Sequence, residues 1–119
     1  MSYVDGFVIA VPTANKQAFI DQANEFDAML KEFGARRILE CWGDDVPVGK
    51  LTDFRRAVQA TVEETVVFSW VEWPDKAVRA AGFARFEQWM SDDPHFKDRP
   101  TLFDGKRLIF GGFTPVVEL

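Results

Sequence analysis

Residues 65–73, with the sequence TVVFSWVEW, constrain the fold of this chain more than any other stretch. Most of these residues are β-branched or aromatic, none is glycine, and Pro74 follows, which is typical of a central β-strand. Alternation places apolar side chains on both sides of the sheet: Val66, Phe68 and Trp70 on one, and Thr65, Val67, Val71 and Trp73 on the other. Such a sheet needs cover on both faces. Helices can cover one face, and we expect a second copy of the chain to cover the other.

The rest of the pattern predicts an alternation of strands and helices within one domain covering residues 1–119. Strands are expected at 3–11, 35–43, 65–73 and 106–117, with a further short strand at 58–61. A first helix is expected from 14 to 33, because its apolar residues are spaced four, three, four and three: Phe19, Ala23, Phe26, Leu30 and Phe33. Thr13 is its expected N-cap, and Gly34 its left-handed end.

A second helix is expected from Asp75, its N-cap, to Met90. The order strand, helix, strand, strand, helix, strand is that of the ferredoxin-like fold. The sequence therefore predicts an α+β protein, βαββαβ, with an antiparallel sheet and two helices on one face. Gly111 and Gly112, inside the last strand, indicate a bulge or a very close approach of another part of the backbone.

The net charge and the cysteine content of the chain limit the kinds of molecule and environment that the protein is suited to. The net charge of −5 and the pI of about 4.8 argue against nucleic acid and against anionic membranes, which require basic surfaces. Cys41 is the only cysteine, so an intrachain disulfide is excluded. The N-terminus does not have the basic and apolar regions of a secretory signal, and no stretch approaches the roughly 20 apolar residues of a membrane span. We expect a cytoplasmic protein that does not enter membranes.

Several short blocks in a fixed order resemble one family. They are SYVDGF at 2–7, CWGDDVP at 41–47, GKLTDF at 49–54, RAV at 56–58, ETVVFSW at 64–70, DGKR at 104–107 and GGF at 111–113. These blocks resemble the bacterial YbaA-like family, a domain of unknown function numbered 1428. The resemblance implies a ferredoxin-like fold of the dimeric α/β-barrel type, in which the sheets of two copies face each other. It implies no established activity, cofactor or catalytic residue.

His95 is the only histidine and follows two aspartates and a proline, in the sequence DDPH. A histidine beside carboxylates is a candidate general base, although a surface turn residue is the commoner role. Metal binding by His95 with Asp92 and Asp93 is less favoured, because consecutive carboxylates on a turn rarely converge on one ion. We therefore expect neither a metal site nor a cofactor.

The long segment 44–54 carries both signs of charge near Asp44 and Asp45. Together with Lys50, Asp53, Arg55 and Arg56, they would orient an anionic or polar ligand at the mouth of a pocket, or form a salt-bridged loop packed on the partner subunit. We favour the structural role and keep both aspartates as candidate ligand contacts. Cys41 is more simply a small buried hydrophobe than a nucleophile.

Aromatic residues supply a second group of candidates. Tyr3, Trp42 and Trp70 are suited to stacking on a flat ligand, although packing in a core or an interface is more usual for such side chains. Glu72 and Arg107 are charged residues on otherwise apolar strands, and are therefore candidates to line a pocket. Arg107 is also, with His95, a candidate for catalysis.

These observations predict a homodimer that binds a small aromatic or polar molecule in a pocket between sheet and helices. The alternative is a small enzyme, because the dimeric α/β-barrel superfamily includes cofactor-independent monooxygenases that act on aromatic substrates. RNA binding is the least favoured candidate. Alanine at His95 or Arg107 is expected to leave the fold intact and so to separate binding from turnover.

Overall fold

The computed structural model describes residues 2–119 and contains the predicted order of strands and long helices. The elements are β1 (Tyr3–Pro12), α1 (Lys16–Glu32), β2 (Arg37–Trp42), α2 (Phe54–Ala57), β3 (Glu64–Trp73), α3 (Lys76–Asp92) and β4 (Ile109–Phe113). Short 3-10 turns at Thr13–Asn15 and Phe96–Asp98 precede α1 and follow α3.

The four strands form one antiparallel sheet in the order β2–β3–β1–β4. The two central strands pair along their whole length, from Tyr3 opposite Trp73 to Pro12 opposite Glu64. β4 pairs with the first half of β1, where Val4 lies opposite Phe113. This arrangement confirms the predicted α+β, ferredoxin-like fold, with the 65–73 segment at the centre of the sheet.

One face of the sheet, the helix face, is buried under α1 and α3. Phe19 of α1 packs with Ile9, Val11 and Val67, while Leu30 packs with Trp73 and its neighbours further along the sheet. The predicted apolar stripe of the first helix is therefore its contact with the core. Removing such side chains from water is the main driving force for docking the helix.

The opposite face, here called the open face, is covered only at one end. There Val58, from the connection between β2 and β3, is fully buried against Ala10 and Val66. Further along, the apolar side chains of the sheet stay in solvent: Phe68 is 41% exposed and Phe113 61%. Both faces of β3 are thus apolar, as predicted, but this chain covers only one of them completely.

A buried polar cluster holds α3 against the sheet. Asp5 on β1 is 2% exposed and accepts hydrogen bonds from Trp73 Nε1 at 2.9 Å and from Arg79 Nη2 at 2.7 Å and Nε at 3.1 Å. Buried carboxylates are stable only when paired in this way. Asp5 therefore connects β1, β3 and α3 through one side chain.

Three local predictions are wrong, each for a physical reason. Residues 58–61 are not a strand, because Asp53 caps a short helix by accepting from Arg56 N at 2.7 Å and Gln59 then has a φ of 52°. Thr13 does not cap α1; its hydroxyl bonds to that of Thr65 at 2.7 Å. β4 begins only at Ile109, because the Asp104 carboxylate accepts from Lys106 N and holds a turn.

Two predicted helix boundaries, at Gly34 and Asp75, are confirmed. Gly34 has a φ of 122°, a conformation that favours glycine at a helix end. Asp75 caps α3 by accepting from Val78 N at 2.8 Å. At Gly111 and Gly112 the expectation of a bulge or a close backbone approach is wrong: both glycines pair in regular register with β1, and it is the Tyr3 ring that lies against Gly112, where a Cβ would collide with it.

Candidate functional site

A cavity of about 510 Å³ lies between α1 and the edge of the sheet formed by β2 and β3. We call it the helix-side cavity. Alternation along β2 directs Ile38, Glu40 and Trp42 toward α1, which contributes residues one helical turn apart. The α1 side of the wall comprises Lys16, Phe19, Ile20, Ala23, Asn24, Asp27, Ala28 and Lys31. Over the whole cavity, α1 and the sheet together, most of the wall is apolar, which is usual for a site that binds small molecules.

The aromatic wall of the cavity is formed by two residues in contact. The Trp42 and Phe19 rings have centroids 6.3 Å apart and are tilted by 51°. Lys16 Nζ lies 5.4 Å from the centre of the Trp42 ring, in the range of a cation–π interaction. Trp42, a predicted ligand contact, thus stands at a cavity between sheet and helix, with its position fixed by packing.

The polar part of the cavity wall comprises two carboxyl groups together with Lys16, Asn24 and Lys31. Asp27, from α1, and Glu40, from β2, are hydrogen-bonded to each other. Loss of solvent around the carboxyl group, followed by the neighbouring Asp27, raises the pKa of Glu40 to about 8, and the same loss raises the pKa of Asp27. The hydroxyl of Ser69, a buried residue of β3, opposes part of the shift at Glu40. The pair therefore holds one proton at neutral pH.

Glu40→Gln is expected to stabilise the protein near pH 8 and to have little effect near pH 4. The folded state keeps a proton that the unfolded chain has released above about pH 4.5, so the stability of the wild type falls as the pH rises from there to about 8. The neutral amide removes this dependence. Thermal unfolding of both proteins across this pH range measures it, and a Tm difference of a few degrees that grows with pH is the expected result.

A second variant serves as the control for this pH experiment. Glu63→Gln, an exposed substitution with the same change of charge, is expected to show no such trend. A Tm difference for Glu40→Gln that is constant with pH would contradict the shared proton.

A second hollow, of about 630 Å³, lies on the uncovered part of the open face. Its walls include Val4, Phe68, Trp70 and Phe113, and its polar side includes Glu72. Trp70 Nε1 donates to Glu72 Oε2 at 2.9 Å. These two predicted site residues therefore lie together, on the face of the sheet opposite the helices and away from Trp42.

The remaining candidates of the ligand set lie elsewhere. Tyr3 packs on the helix face below Arg79, whose guanidinium carbon is 5.3 Å from the Tyr3 ring centre. Asp44 and Asp45 are exposed in the connection after β2. In the same connection Asp53 and Arg56 form an ion pair at 2.9 Å that organises the turn. The structure thus divides the predicted residues among several places on the fold.

The two candidates for catalysis differ in their surroundings. Arg107 donates to both carboxylate oxygens of Glu64, at 2.7 and 2.6 Å, and also bonds to Asp104 and to the Gln59 carbonyl. The hydrogen bonds from Arg107 lower the pKa of Glu64 to about 2. The His95 side chain is 82% exposed after α3, with Nδ1 3.3 Å from Asp98 Oδ2. Neither residue lines the helix-side cavity.

Arg107→Ala is expected to lower the Tm by several degrees, and His95→Ala to leave it unchanged. The first substitution leaves the buried Glu64 carboxylate without its guanidinium partner, whereas the second removes an exposed ring. For Arg107 this differs from the expectation drawn from the sequence, that alanine leaves the fold intact.

The dependence on pH gives a second test of the Arg107–Glu64 pair. The pKa of Glu64 is lowered in the folded state, so the stability that the pair contributes is present above about pH 4.5 and is lost as the pH falls toward 2. The Tm deficit of Arg107→Ala should shrink correspondingly in acid. Equal Tm values for wild type and Arg107→Ala at neutral pH would contradict the structural role.

Residues 2–119 contain neither a cluster of metal-binding side chains nor a helix that could span a membrane. No group of three or more His, Cys, Asp or Glu side chains is arranged there to hold a metal ion. Within that range, too, no helix has the length and apolar character needed to cross a membrane.

Comparison with known sequences gives full-length relatives. A family model described as "Protein of unknown function (DUF1428)" matches residues 2–105. The chain is 51% identical over 120 residues to the "Uncharacterized protein YbaA" of Escherichia coli K12, covering 99% of each chain. The protein of the same description from Shigella flexneri gives the same values.

Comparison with solved structures supports the fold. A dimeric ferredoxin-like protein from an uncultured marine organism has a TM-score of 0.67 at 15% identity, covering 99% of this chain and 98% of its own. A monooxygenase from the gene ActVA-Orf6 of Streptomyces coelicolor, in complex with nanaomycin D, has a TM-score of 0.59 at 12% identity, covering 99% and 90%. At these identities the likeness concerns the fold alone.

Proposed function

The chain belongs to the DUF1428 family of proteins of unknown function, and we propose that it is a homodimer that binds a small, largely aromatic molecule in the helix-side cavity. The observation that carries the proposal is the cavity itself, about 510 Å³ in volume, with an apolar and aromatic wall and one polar carboxyl pair. Cavities of this size and character are typical binding sites for small molecules.

The open face supports the homodimer. Phe68, Ile109 and Phe113 expose large apolar side chains on one continuous surface, and Phe54 of α2 flanks it with its ring against Phe68. Contiguous apolar surfaces of this kind are usually interfaces. A second copy presents the same surface, so two sheets packed face to face cover both. The protein of similar fold from the marine organism is described as dimeric.

Native mass spectrometry of gently purified protein tests both parts of the proposal. We expect a dimer that carries a defined additional mass. A monomer at micromolar concentration would contradict the homodimer, and a dimer that never carries additional mass would contradict the ligand.

Replacing either of two alanines on α1 by phenylalanine tests whether the additional mass is bound in the cavity. Ala28→Phe fills the helix-side cavity and is expected to abolish the additional mass. Ala18→Phe makes the same change on another side of α1 and is expected to retain it. Both alanines are exposed, so the two variants should fold and dimerise alike.

An enzyme is the second candidate, and the carboxyl pair is the observation that favours it. Groups that hold a proton near neutral pH can act as general acid or base. The monooxygenase of similar fold was solved with nanaomycin D. If this chain also oxygenates aromatic molecules, it should consume dioxygen with a hydroxylated naphthalene, and Glu40→Gln should abolish that consumption. RNA binding is the least favoured candidate, because the net charge of −5 opposes binding to phosphates.

A further inference from the structure

Building on that proposed function, we infer that the Asp27–Glu40 pair is the polar end of the helix-side cavity and binds the hydroxyl group of a neutral aromatic ligand of the phenol class. The pair joins two walls of the cavity, since Asp27 comes from α1 and Glu40 from β2. A ligand that enters between helix and sheet therefore meets both carboxyl groups.

Hydrogen bonding determines the functional group that fits. With one proton shared in the bond between them, the two carboxyl groups offer a ligand their remaining acceptor oxygens. A hydroxyl group donates one hydrogen bond, so it can bond to an oxygen of either member of the pair. Ser69, buried in β3, is the cross-strand partner of Glu40, so its side chain lies beside the carboxyl group on the same face of the sheet.

The charges around the pair disfavour a cationic ligand. Lys16 and Lys31, both on α1, line the same cavity and are the other charged groups that face it. Two ammonium groups and a pair with one negative charge leave the cavity with a net positive charge. A protonated amine would add a further positive charge to this wall, whereas an uncharged hydroxyl would not.

The remaining wall determines the rest of the ligand. Phe19 and Trp42 offer aromatic surface, and Ile38 and Val67 offer aliphatic surface. A flat apolar ring matches such surfaces and gains binding free energy from leaving water. The ligand class that satisfies both the apolar wall and the carboxyl pair is an aromatic ring that carries a hydroxyl group.

Binding of 2-naphthol and of naphthalene tests this inference, because the two probes differ only in the hydroxyl group. Quenching of the protein's tryptophan fluorescence, to which Trp42 of the cavity wall contributes, reports on binding. The wild type is expected to bind 2-naphthol about tenfold more tightly than naphthalene, as one charge-assisted hydrogen bond provides. In Asp27→Asn/Glu40→Gln the ratio of the two affinities should fall toward one. The control Asp21→Asn/Glu63→Gln has the same change of charge at exposed positions and should keep the tenfold ratio.

Each result distinguishes this inference from the proposed function. If both probes bind equally to the wild type, or if Asp27→Asn/Glu40→Gln keeps the tenfold ratio, the carboxyl pair is not the polar end and the cavity is still a binding site. If neither probe binds, the aromatic-ligand cavity is refuted, and this inference with it. The comparison of the two probes in the wild type does not depend on whether any variant folds.

Discussion

Asp5→Ala is expected to destabilise the protein by about 3 kcal/mol or more, the largest loss of stability that we predict for a single substitution. The Asp5 carboxylate is 2% exposed and is the acceptor for Trp73 Nε1 and for two nitrogens of Arg79. Alanine leaves a fully buried indole N–H and a guanidinium group without this partner. Urea denaturation measured through tryptophan fluorescence gives the free energy of unfolding.

A double-mutant cycle separates the loss of the ion pair from the loss of packing. Arg79→Met removes the charge and keeps much of the apolar stem, so the combined Asp5→Ala/Arg79→Met variant should be more stable than the sum of the two single effects predicts. Asp98→Ala, at an exposed aspartate, is the control and should change stability by less than about 0.5 kcal/mol. A loss of less than about 1 kcal/mol for Asp5→Ala would contradict the role assigned to this cluster.

Phe68→Asp is expected to convert the proposed dimer into a monomer that remains folded. The Phe68 ring is 41% exposed at the centre of the open face, where it contacts Phe54 and Trp70. Facing sheets would bury it, and an unpaired carboxylate in an apolar interface costs several kcal/mol for each copy. The dimer dissociation constant should therefore rise by at least about a hundredfold. Sedimentation equilibrium measures the constant, and circular dichroism checks the fold.

Ile20→Asp is a matched control for the change at the open face. Ile20 is 38% exposed, close to the value for Phe68, and lies on α1 on the other side of the sheet. The same introduction of charge there should leave the dissociation constant unchanged. A Phe68→Asp protein that remains dimeric with the affinity of the wild type would place the interface elsewhere.

The architecture follows from features that are local in the sequence. Alternation in 65–73 predicts a strand with two apolar faces, and the spacing from Phe19 to Phe33 predicts a helix with one. Gly34 and Asp75 mark helix ends, because their roles depend on their own backbone or on a neighbour three residues away. The false strand at 58–61 could not be recognised so simply, since its conformation depends on Asp53 and on the left-handed Gln59.

The candidate site is less visible in the sequence, because its parts meet only in the folded chain. In the sequence Asp27 lies outside the apolar stripe of its helix, and the partner that changes its pKa lies on β2. A signal for Glu40 does exist. It stands between Ile38 and Trp42 on the apolar face of its strand, as Asp5 stands between Tyr3 and Phe7 on β1. A single carboxylate within an apolar face predicts an interaction on that face, which is buried for Asp5 and partly open to solvent for Glu40, but it does not predict the partner.

The strand order has a consequence for how the chain acquires its structure. The two central strands come from distant parts of the chain, and the hydrogen-bonded residues Asp5 and Trp73 are 68 positions apart. Closing so long a loop is slow compared with forming a helix, so we expect refolding on the slower side for a protein of this size. During synthesis, β1 leaves the ribosome early and has no neighbouring strand until β3 follows. Assembly of the sheet on the ribosome therefore begins only after more than half of the chain has emerged.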